Sequence, residues 1–278
     1  MTPKGAAAAA PAADEEVSRL LSHGFLSMAF QPIVEIETGR KLGFEALLRG
    51  PRGTPLSLPG ILFGSGRALS GDVLRQLDLA CVDAALRSGG ALPKGALLFI
   101  NIQTGATSLA GRELFSLMEA LEIDPKSVVL EVSETLADGA RARAIAKRLL
   151  PFRRKGVRLA LDDVGVRVPW LSHLLHLEPE WVKVDRSFVR NVHRSPRMAD
   201  LLLGLRELTG RMGARVIAEG IESAEDARAL SRVGIPLGQG RRFGRPAPAE
   251  AWLDRPARRN LWKRPVDAIH VRPGRARL

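Results

Sequence analysis

Short apolar runs that end in a polar side chain recur along this chain. Seven such runs occur, and most are separated by stretches long enough for a helix. This alternation is typical of a β/α barrel, in which side chains at the C-terminal ends of the strands converge on one mouth. The runs are 43–45, 97–101, 128–131, 159–163, 181–185, 216–219 and 237–239.

The first two strands predicted from the pattern lie too close together in sequence to be parallel. Residues 30–36 and 41–48 alternate between apolar and polar positions, and the turn between them contains Gly39. A parallel pair needs a crossover of a dozen or more residues, so these strands must form an antiparallel hairpin. The chain is therefore predicted to be an α/β protein whose barrel departs from the regular repeat at its start.

The polar residues at the strand ends are mainly oxygen donors. Mg²⁺ and Mn²⁺ prefer such ligands, and five carboxylates are more than one ion needs. Two ions that share them would form the kind of centre that hydrolyses phosphate esters. Any one of these acids taken alone is also explained as an ordinary strand-end charge or a helix cap. The candidate ligands are Glu45, Asn101, Glu131, Asp162, Asp163 and Glu219.

The Asp pair and Lys183 can serve one site only under particular local conditions. Asp162 and Asp163 are adjacent, so in a regular strand their side chains point to opposite faces. Both reach one site only if the strand ends there, which Gly165 permits. Lys183 lies on the same face as Asp185, and a buried Lys beside cations would have a lowered pKa and could orient or deprotonate a water.

Composition is consistent with one large domain. Of 278 residues 45% are hydrophobic, and Cys81 is the single cysteine, which excludes an internal disulfide and a cysteine-rich zinc site. No apolar run approaches the ~18 residues that span a bilayer, so we expect no transmembrane segment and a cytoplasmic location. We expect residues 1–13 to be a disordered leader, 14–253 the barrel domain and 254–278 a separate basic tail.

Positive charge is concentrated in that tail. Residues 254–278 contain eight Arg or Lys and two Asp, which gives +6 of the chain's net charge of +12. The tail is interpreted either as a solvated, poorly ordered segment or as a contact for a nucleic acid, an anionic membrane surface or an acidic partner. Because the rest of the chain is only mildly basic, this charge does not define the main function.

Eight motifs in this sequence occur in the order seen in one bacterial family. Over roughly residues 25–250 the chain resembles the EAL-domain family of cyclic di-GMP phosphodiesterases, named for the Glu-Ala-Leu found here at 45–47. The resemblance implies a TIM-like (β/α)8 barrel with one antiparallel strand, in agreement with the hairpin. It also implies hydrolysis of cyclic di-GMP to linear pGpG with two Mg²⁺ or Mn²⁺ ions. The motifs begin at Gln31, Glu45, Asn101, Glu131, Asp162, Lys183, Glu219 and Gln239.

The resemblance implies catalytic and supporting roles. The six oxygen donors would be the metal ligands, with Glu45 also counted as catalytic. Lys183 would hold or activate the attacking water, and Gln239 would lie near that water. Glu134 and Glu222 match positions that brace the loop after the Asp pair. Residues expected behind the ligands are Glu134, Asp185 and Glu222.

The resemblance also implies contacts with the substrate and with a second copy. Gln31 and Arg49 match positions that contact cyclic di-GMP, and the fixed donor fork of Arg49 suits a phosphate oxygen. Asp78 is either a further substrate contact or a core or surface residue. A homodimer through the barrel is expected from the family.

One loop departs from the family pattern. After the Asp pair the family has Phe-Gly-Thr-Gly, an aromatic residue and Ser-Ser, whereas residues 164–170 read Val-Gly-Val-Arg-Val-Pro-Trp. We therefore expect weak metal affinity, low turnover and a preference for Mn²⁺. The alternative function is a catalytically weak or inactive module that acts as a cyclic di-GMP receptor or a protein-interaction domain. An unrelated metal-dependent barrel enzyme would explain the carboxylates but not the order of the motifs.

Overall fold

Eight strands close into a barrel in chain order. A computed structural model describes residues 14–15, 17–19, 21–22, 26–51, 69–102, 111–133, 139–165 and 170–253. The predicted leader 1–13 and tail 254–278 lie outside these residues. The strands are β1 (Ser27–Glu35), β2 (Lys41–Arg49), β3 (Leu97–Ile102), β4 (Val128–Ser133), β5 (Arg158–Val164), β6 (Trp181–Val184), β7 (Arg215–Ala218) and β8 (Leu237–Gln239).

Helices follow most strands and surround the barrel. Among the described residues, short 3-10 helices lie at Pro125–Ser127, Val192–Arg194 and Ala249–Trp252. No helix in the described part of the chain is long and apolar enough to cross a bilayer. The α-helices are α1 (Gly71–Gly89), α2 (Gly111–Ala120), α3 (Gly139–Arg154), α4 (Trp170–Leu177), α5 (Arg186–Val189), α6 (Pro196–Arg211) and α7 (Ala224–Arg232).

The predicted hairpin is confirmed, and β1 is the antiparallel strand. It pairs antiparallel with both β2 and β8, whereas every other neighbouring pair is parallel. The indole Nε1 of Trp252 donates to the carbonyl oxygen of Phe30 at 3.0 Å and so ties the last 3-10 helix to β1. The barrel is therefore a TIM-like (β/α)8 barrel with one reversed strand, as predicted.

Apolar side chains fill one end of the barrel interior. The rings of Phe99 and Trp181 meet edge to face there, with centroids 5.4 Å apart. A larger apolar core lies between the strands and the helices. Because side chains alternate along a strand, residues of each strand contribute in turn to the interior and to the outer core. The interior floor consists of Ile33, Leu97, Phe99, Val129, Ala160, Trp181, Ile217 and Leu237.

Helix ends agree with local sequence signals. Ser195 accepts a hydrogen bond from the amide of Met198 at the start of α6, and Ser223 accepts one from Asp226 at the start of α7. Gly213 has a φ of +81° just after α6, a conformation that side chains disfavour. These caps fix where α6 and α7 begin and where the chain enters β7.

Candidate active site

The polar side chains of the site form one layer above the apolar floor. On six strands the polar residue lies two positions after a floor residue, for example Glu131 after Val129 and Lys183 after Trp181. On the reversed strand β1 the order is inverted, since Gln31 precedes the floor residue Ile33. The two-residue period of a strand thus places every candidate ligand but Asp163 on the interior face at the C-terminal mouth.

Lys183 lies at the centre of a cage of carboxylates. Its Nζ is fully buried and lies 2.8 Å from Glu131, 2.9 Å from Glu219, 3.0 Å from Asp162 and 3.3 Å from Glu45. Four carboxylates around one ammonium leave excess negative charge in a desolvated place. The cage therefore favours additional cations.

Two amide side chains hold the carboxylates in place. Asn101 donates through Nδ2 to Glu45 Oε1 at 3.0 Å and to Glu131 Oε2 at 2.9 Å. Gln239 donates through Nε2 to Glu45 Oε2 at 2.6 Å and to Gln31 Oε1 at 3.0 Å. Glu45 is thus the most firmly positioned carboxylate of the cage.

The backbone geometry that places both Asp162 and Asp163 at the site differs from the predicted strand end. Strand β5 does not end at Asp163 but runs to Val164, and its pairing with β6 shifts between Leu161 and Val164. Asp163 has a φ of +59°, a left-handed conformation that short polar side chains tolerate. This bulge, rather than the end of the strand, brings Asp162 and Asp163 to the same cleft.

Burial and like charges raise the pKa of most cage carboxyls. Burial raises the pKa of Glu219 to about 8 and that of Asp162 to about 6, although Lys183 opposes both shifts. Burial likewise raises the pKa of Glu131 well above its usual value. Burial would also raise the pKa of Glu45, but Lys183 and the amide hydrogen bonds lower it below its usual value.

The pKa of Lys183 is raised when only the protein groups surround it, whereas the sequence predicts a lowered pKa beside bound cations. Burial would lower its pKa, but the four surrounding carboxylates raise it well above its usual value. The lowered pKa of Lys183 is expected for a site that contains cations, so it stays a prediction. The surrounding carboxylates thus favour the ammonium form of Lys183.

The donor set fits divalent cations. Ligand oxygens of Glu45, Glu131 and Asp162 lie within 4.8 Å of one another, and so do those of Asp162, Asp163 and Glu219. The buried atoms Glu131 Oε1 and Asp162 Oδ1 lie 2.8 and 3.0 Å from Nζ of the Lys183 ammonium. Asp162 belongs to both groups, so the two groups of carboxylates adjoin each other.

A cleft of about 450 Å³ opens directly above the acidic cluster. Asp185 lies at its edge and caps α5 by accepting a 2.8 Å hydrogen bond from the amide of Ser187. Arg241 donates through Nε to Glu222 at 2.9 Å, and this half-exposed ion pair forms part of the rim. Other residues that line the cleft include Gln31, Glu45, Asp162, Asp163, Arg186, Glu219, Gly220, Gln239 and Gly240.

Some of these cleft residues were not predicted from the sequence. Arg186 follows directly after the motif that contains Lys183 and Asp185, and that position at a strand end is the signal that could have identified it. Gly220 has a φ of +66°, and a Cβ there would lie 2.4 Å from Cβ of Arg186. Glycine thus allows the backbone after Glu219 to pack closely against the start of α5.

The two predicted substrate-binding residues Arg49 and Asp78 do not line the cleft. Arg49, at the end of β2, donates through Nη1 to the carbonyl of Leu48 at 2.7 Å, and burial lowers its pKa. Asp78 is 1% exposed on the inner face of α1. Glu134 and residues 166–169 of the divergent loop lie outside the described residues, while Trp170 packs against the core at the start of α4.

Known proteins resemble this chain in sequence and in fold. The cyclic di-GMP phosphodiesterase RocR of Pseudomonas aeruginosa is 31% identical over 152 residues, which cover 55% of this chain and 38% of RocR. The cyclic di-GMP phosphodiesterase PdeR of Escherichia coli is 26% identical over 251 residues, 87% of this chain and 37% of PdeR. This chain thus spans less than two fifths of the length of either phosphodiesterase.

Solved structures also resemble this chain in fold and in sequence. The calcium and cyclic di-GMP complex of Klebsiella pneumoniae BlrP1 superposes with a TM-score of 0.72 and 32% identity, over 80% of this chain and 56% of BlrP1. A manganese and cyclic di-GMP complex of the same protein gives a TM-score of 0.70. The EAL domain model matches residues 14–246. That match covers most of the sequence, and this chain belongs to the EAL domain family.

Proposed function

We propose that this protein hydrolyses cyclic di-GMP to linear pGpG with two Mg²⁺ or Mn²⁺ ions. The observation that carries the proposal is the acidic cluster at the cleft, which divides into two ligand groups that share Asp162. Named phosphodiesterases among the relatives, and cyclic di-GMP bound to a structural neighbour, support the choice of substrate. The proposal concerns the barrel domain, which we place at residues 14–253.

The cage residues are assigned as the ligands of the two ions. One ion would be held by Glu45, Glu131 and Asp162, and the other by Asp162, Asp163 and Glu219. Two such ions lower the pKa of water and stabilise the attacking and leaving oxygens of a phosphodiester together. Asn101 would join as a ligand through its amide oxygen, which requires the amide to turn from the orientation in which Nδ2 faces Glu45.

Lys183 and Gln239 position groups around those ligands. The ammonium of Lys183 contacts four carboxylates, so it keeps them close together and can donate a hydrogen bond to a nucleophilic water. Gln239 fixes one oxygen of Glu45 at 2.6 Å and so orients its other oxygen. Both residues contribute by holding the reacting groups in place, and such positioning is a main part of what a protein contributes to phosphoryl transfer.

The cleft rim offers positive charge for the substrate phosphates. Arg186 and Arg241 both line the cleft, and each guanidinium presents several donors in one plane. Arg241 is held by Glu222, so its position is set before a substrate binds. For Arg49 and Asp78 we retain the prediction of substrate contact as a hypothesis, although neither lines the cleft.

A turnover assay tests the proposal. Purified protein is incubated with cyclic di-GMP and Mn²⁺, Mg²⁺ or a chelator, and pGpG is measured by chromatography. We expect metal-dependent pGpG formation, and a loss of orders of magnitude in Glu45→Gln and Asp162→Asn, because removal of one ligand disrupts a two-ion site. Glu207→Gln, an exposed position on α6, is the matched control and should keep full activity.

The same assay decides between enzyme and receptor. Binding of cyclic di-GMP without turnover in either metal would contradict the enzyme and support the receptor function. The divergent loop at residues 164–170 is the feature that motivates that alternative.

A further inference from the structure

Helix α3 carries an unusual concentration of positive charge. It contains six Arg or Lys and no Asp or Glu. Each of the other described helices of eight or more residues has a net charge between −1 and +1. The charge of α3 is distant in sequence from the basic residues 254–278, and the proposed hydrolysis makes no use of it.

Three of these cations and one leucine form a single exposed stripe. Arg143, Lys147, Leu150 and Arg154 are separated by four, three and four positions, which places them on one face of a helix. All four are exposed, and Leu150 keeps 44% of its surface accessible. None of the three cations forms an ion pair with a carboxylate among the described residues. Within the described part of the chain, the stripe therefore faces outward without a carboxylate partner.

The neighbouring helix α4 also exposes apolar side chains. One turn after Leu150, Arg153 donates to the carbonyls of Leu177 and Glu178 at 2.7 and 2.9 Å, so α4 lies against that flank of α3. Helix α4 exposes Leu171 at 54% and Leu175 at 60%. Cations and leucines thus occur together on two adjoining helices.

We propose that this face of α3 binds the surface of a membrane that contains anionic lipids. Clusters of Lys and Arg on an amphipathic helix are attracted to anionic headgroups, while exposed leucines enter the boundary of the acyl chains. A second copy of the same face would bring like charges together.

The composition of the face disfavours a nucleic acid. Single strands are usually bound by cations together with exposed aromatic side chains that stack on bases. The aromatic residue of α3, Phe152, is buried and packs against Phe115 with ring centroids 5.1 Å apart. Leu150, in the middle of the stripe, would have no favourable partner among phosphates, whereas a bilayer accommodates it.

Cosedimentation with vesicles tests the proposal with the full chain. The probes are vesicles of phosphatidylcholine alone and of phosphatidylcholine mixed with phosphatidylglycerol. We expect binding only to the anionic vesicles, and a loss of about 100-fold when Arg143, Lys147 and Arg154 are all replaced by Gln, roughly fivefold for each cation. Leu150→Ser should lower the affinity about tenfold, because the leucine no longer buries apolar surface.

A matched control variant shows whether vesicle binding depends on the α3 face or only on the net charge of the protein. Replacement of Arg197, Arg211 and Arg232 by Gln removes the same charge from exposed positions on α6 and α7. We expect this variant to keep nearly all of its vesicle affinity. Equal losses in the two triple variants, or no binding of the wild type to anionic vesicles, would overturn the proposal.

Two further readouts complete the test. If Leu150→Ser leaves vesicle binding unchanged while the α3 triple variant loses affinity for a single-stranded oligonucleotide, the face is a nucleic-acid surface and the proposal is wrong. If the triple variant does not fold, as judged by circular dichroism, the single variants Arg143→Gln and Arg154→Gln replace it, with about fivefold expected for each.

Discussion

Replacement of Glu219 by Gln is expected to stabilise the metal-free protein at alkaline pH. Burial and neighbouring carboxylates raise the pKa of Glu219 from 4.5 to about 8, so its charged form is disfavoured in the fold. Gln has the shape of the neutral acid but no charge. The substitution thus removes a destabilising charge, although it also removes a proposed metal ligand.

The sign and size of the effect follow from proton linkage. Because the folded-state pKa lies above the unfolded-state value, the folded protein binds the extra proton, and stability falls as pH rises from about 4.5 to 8. A shift of this size corresponds to at most about 5 kcal/mol. Since Lys183 and the other carboxylates readjust, we expect Glu219→Gln to gain about 2–4 kcal/mol at pH 8 and almost nothing near pH 4.5.

Thermal denaturation in the presence of a chelator measures this effect. For a chain of this size the gain at pH 8 corresponds to a rise in melting temperature of roughly 5–10 °C. Mn²⁺ should stabilise the wild type at pH 8 through binding to the folded state, and should stabilise the variant far less. Glu222→Gln is the control, because this half-exposed partner of Arg241 contributes only about 0–1 kcal/mol.

One result would refute the reasoning. If Glu219→Gln destabilises the chelated protein equally at pH 8 and near pH 4.5, Glu219 stabilises the fold as an ion-pair partner of Lys183. The cage would then be a structural ion-pair cluster and not a site strained by the absence of cations.

Three further predictions concern the turn after β5, the buried carboxylate Asp226 and the basic tail. Gly165→Ala should destabilise the fold by about 1–3 kcal/mol and weaken Mn²⁺ binding in calorimetry, because φ is +109° and the new Cβ would lie 2.3 Å from the ring of Phe188; unchanged values would contradict this. Asp226→Asn should cost about 1–3 kcal/mol in chemical denaturation, since this buried carboxylate accepts from Ser223 Oγ at 2.8 Å and lies 2.6 Å from His193 Nδ1. Deletion of residues 254–278 should leave the melting temperature unchanged, and loss of folding would show that the tail is part of the packed structure.

Strand periodicity accounts for the part of the site that the sequence predicted. The alternation around residues 30–48 required a hairpin, and β1 is indeed the reversed strand. Apart from Asp163, the candidate acidic ligands, such as Glu131 in β4 and Glu219 after β7, lie where a two-residue period directs them. Features that depend on strand geometry alone were therefore predictable.

Features that depend on contacts between loops were not predictable. The bulge places the left-handed residue Asp163 inside a strand, and although Asp tolerates that conformation, nothing in the segment shows which of the two adjacent aspartates adopts it. The close packing of Gly220 on Arg186 joins the ends of β6 and β7, and nothing in either segment identifies the other. The raised pKa of Lys183 likewise results from the simultaneous approach of four carboxylates.

Counting the Mn²⁺ ions bound by the purified protein tests the central claim most directly. The account predicts two ions for the wild type, measured by calorimetry or electron paramagnetic resonance in the presence of cyclic di-GMP. It predicts one ion for Glu131→Gln and for Asp163→Asn, which each belong to one ligand group, and loss of both ions for Asp162→Asn, which belongs to both. Absence of Mn²⁺ binding by the wild type, or equal stoichiometry in all three variants, would contradict the account.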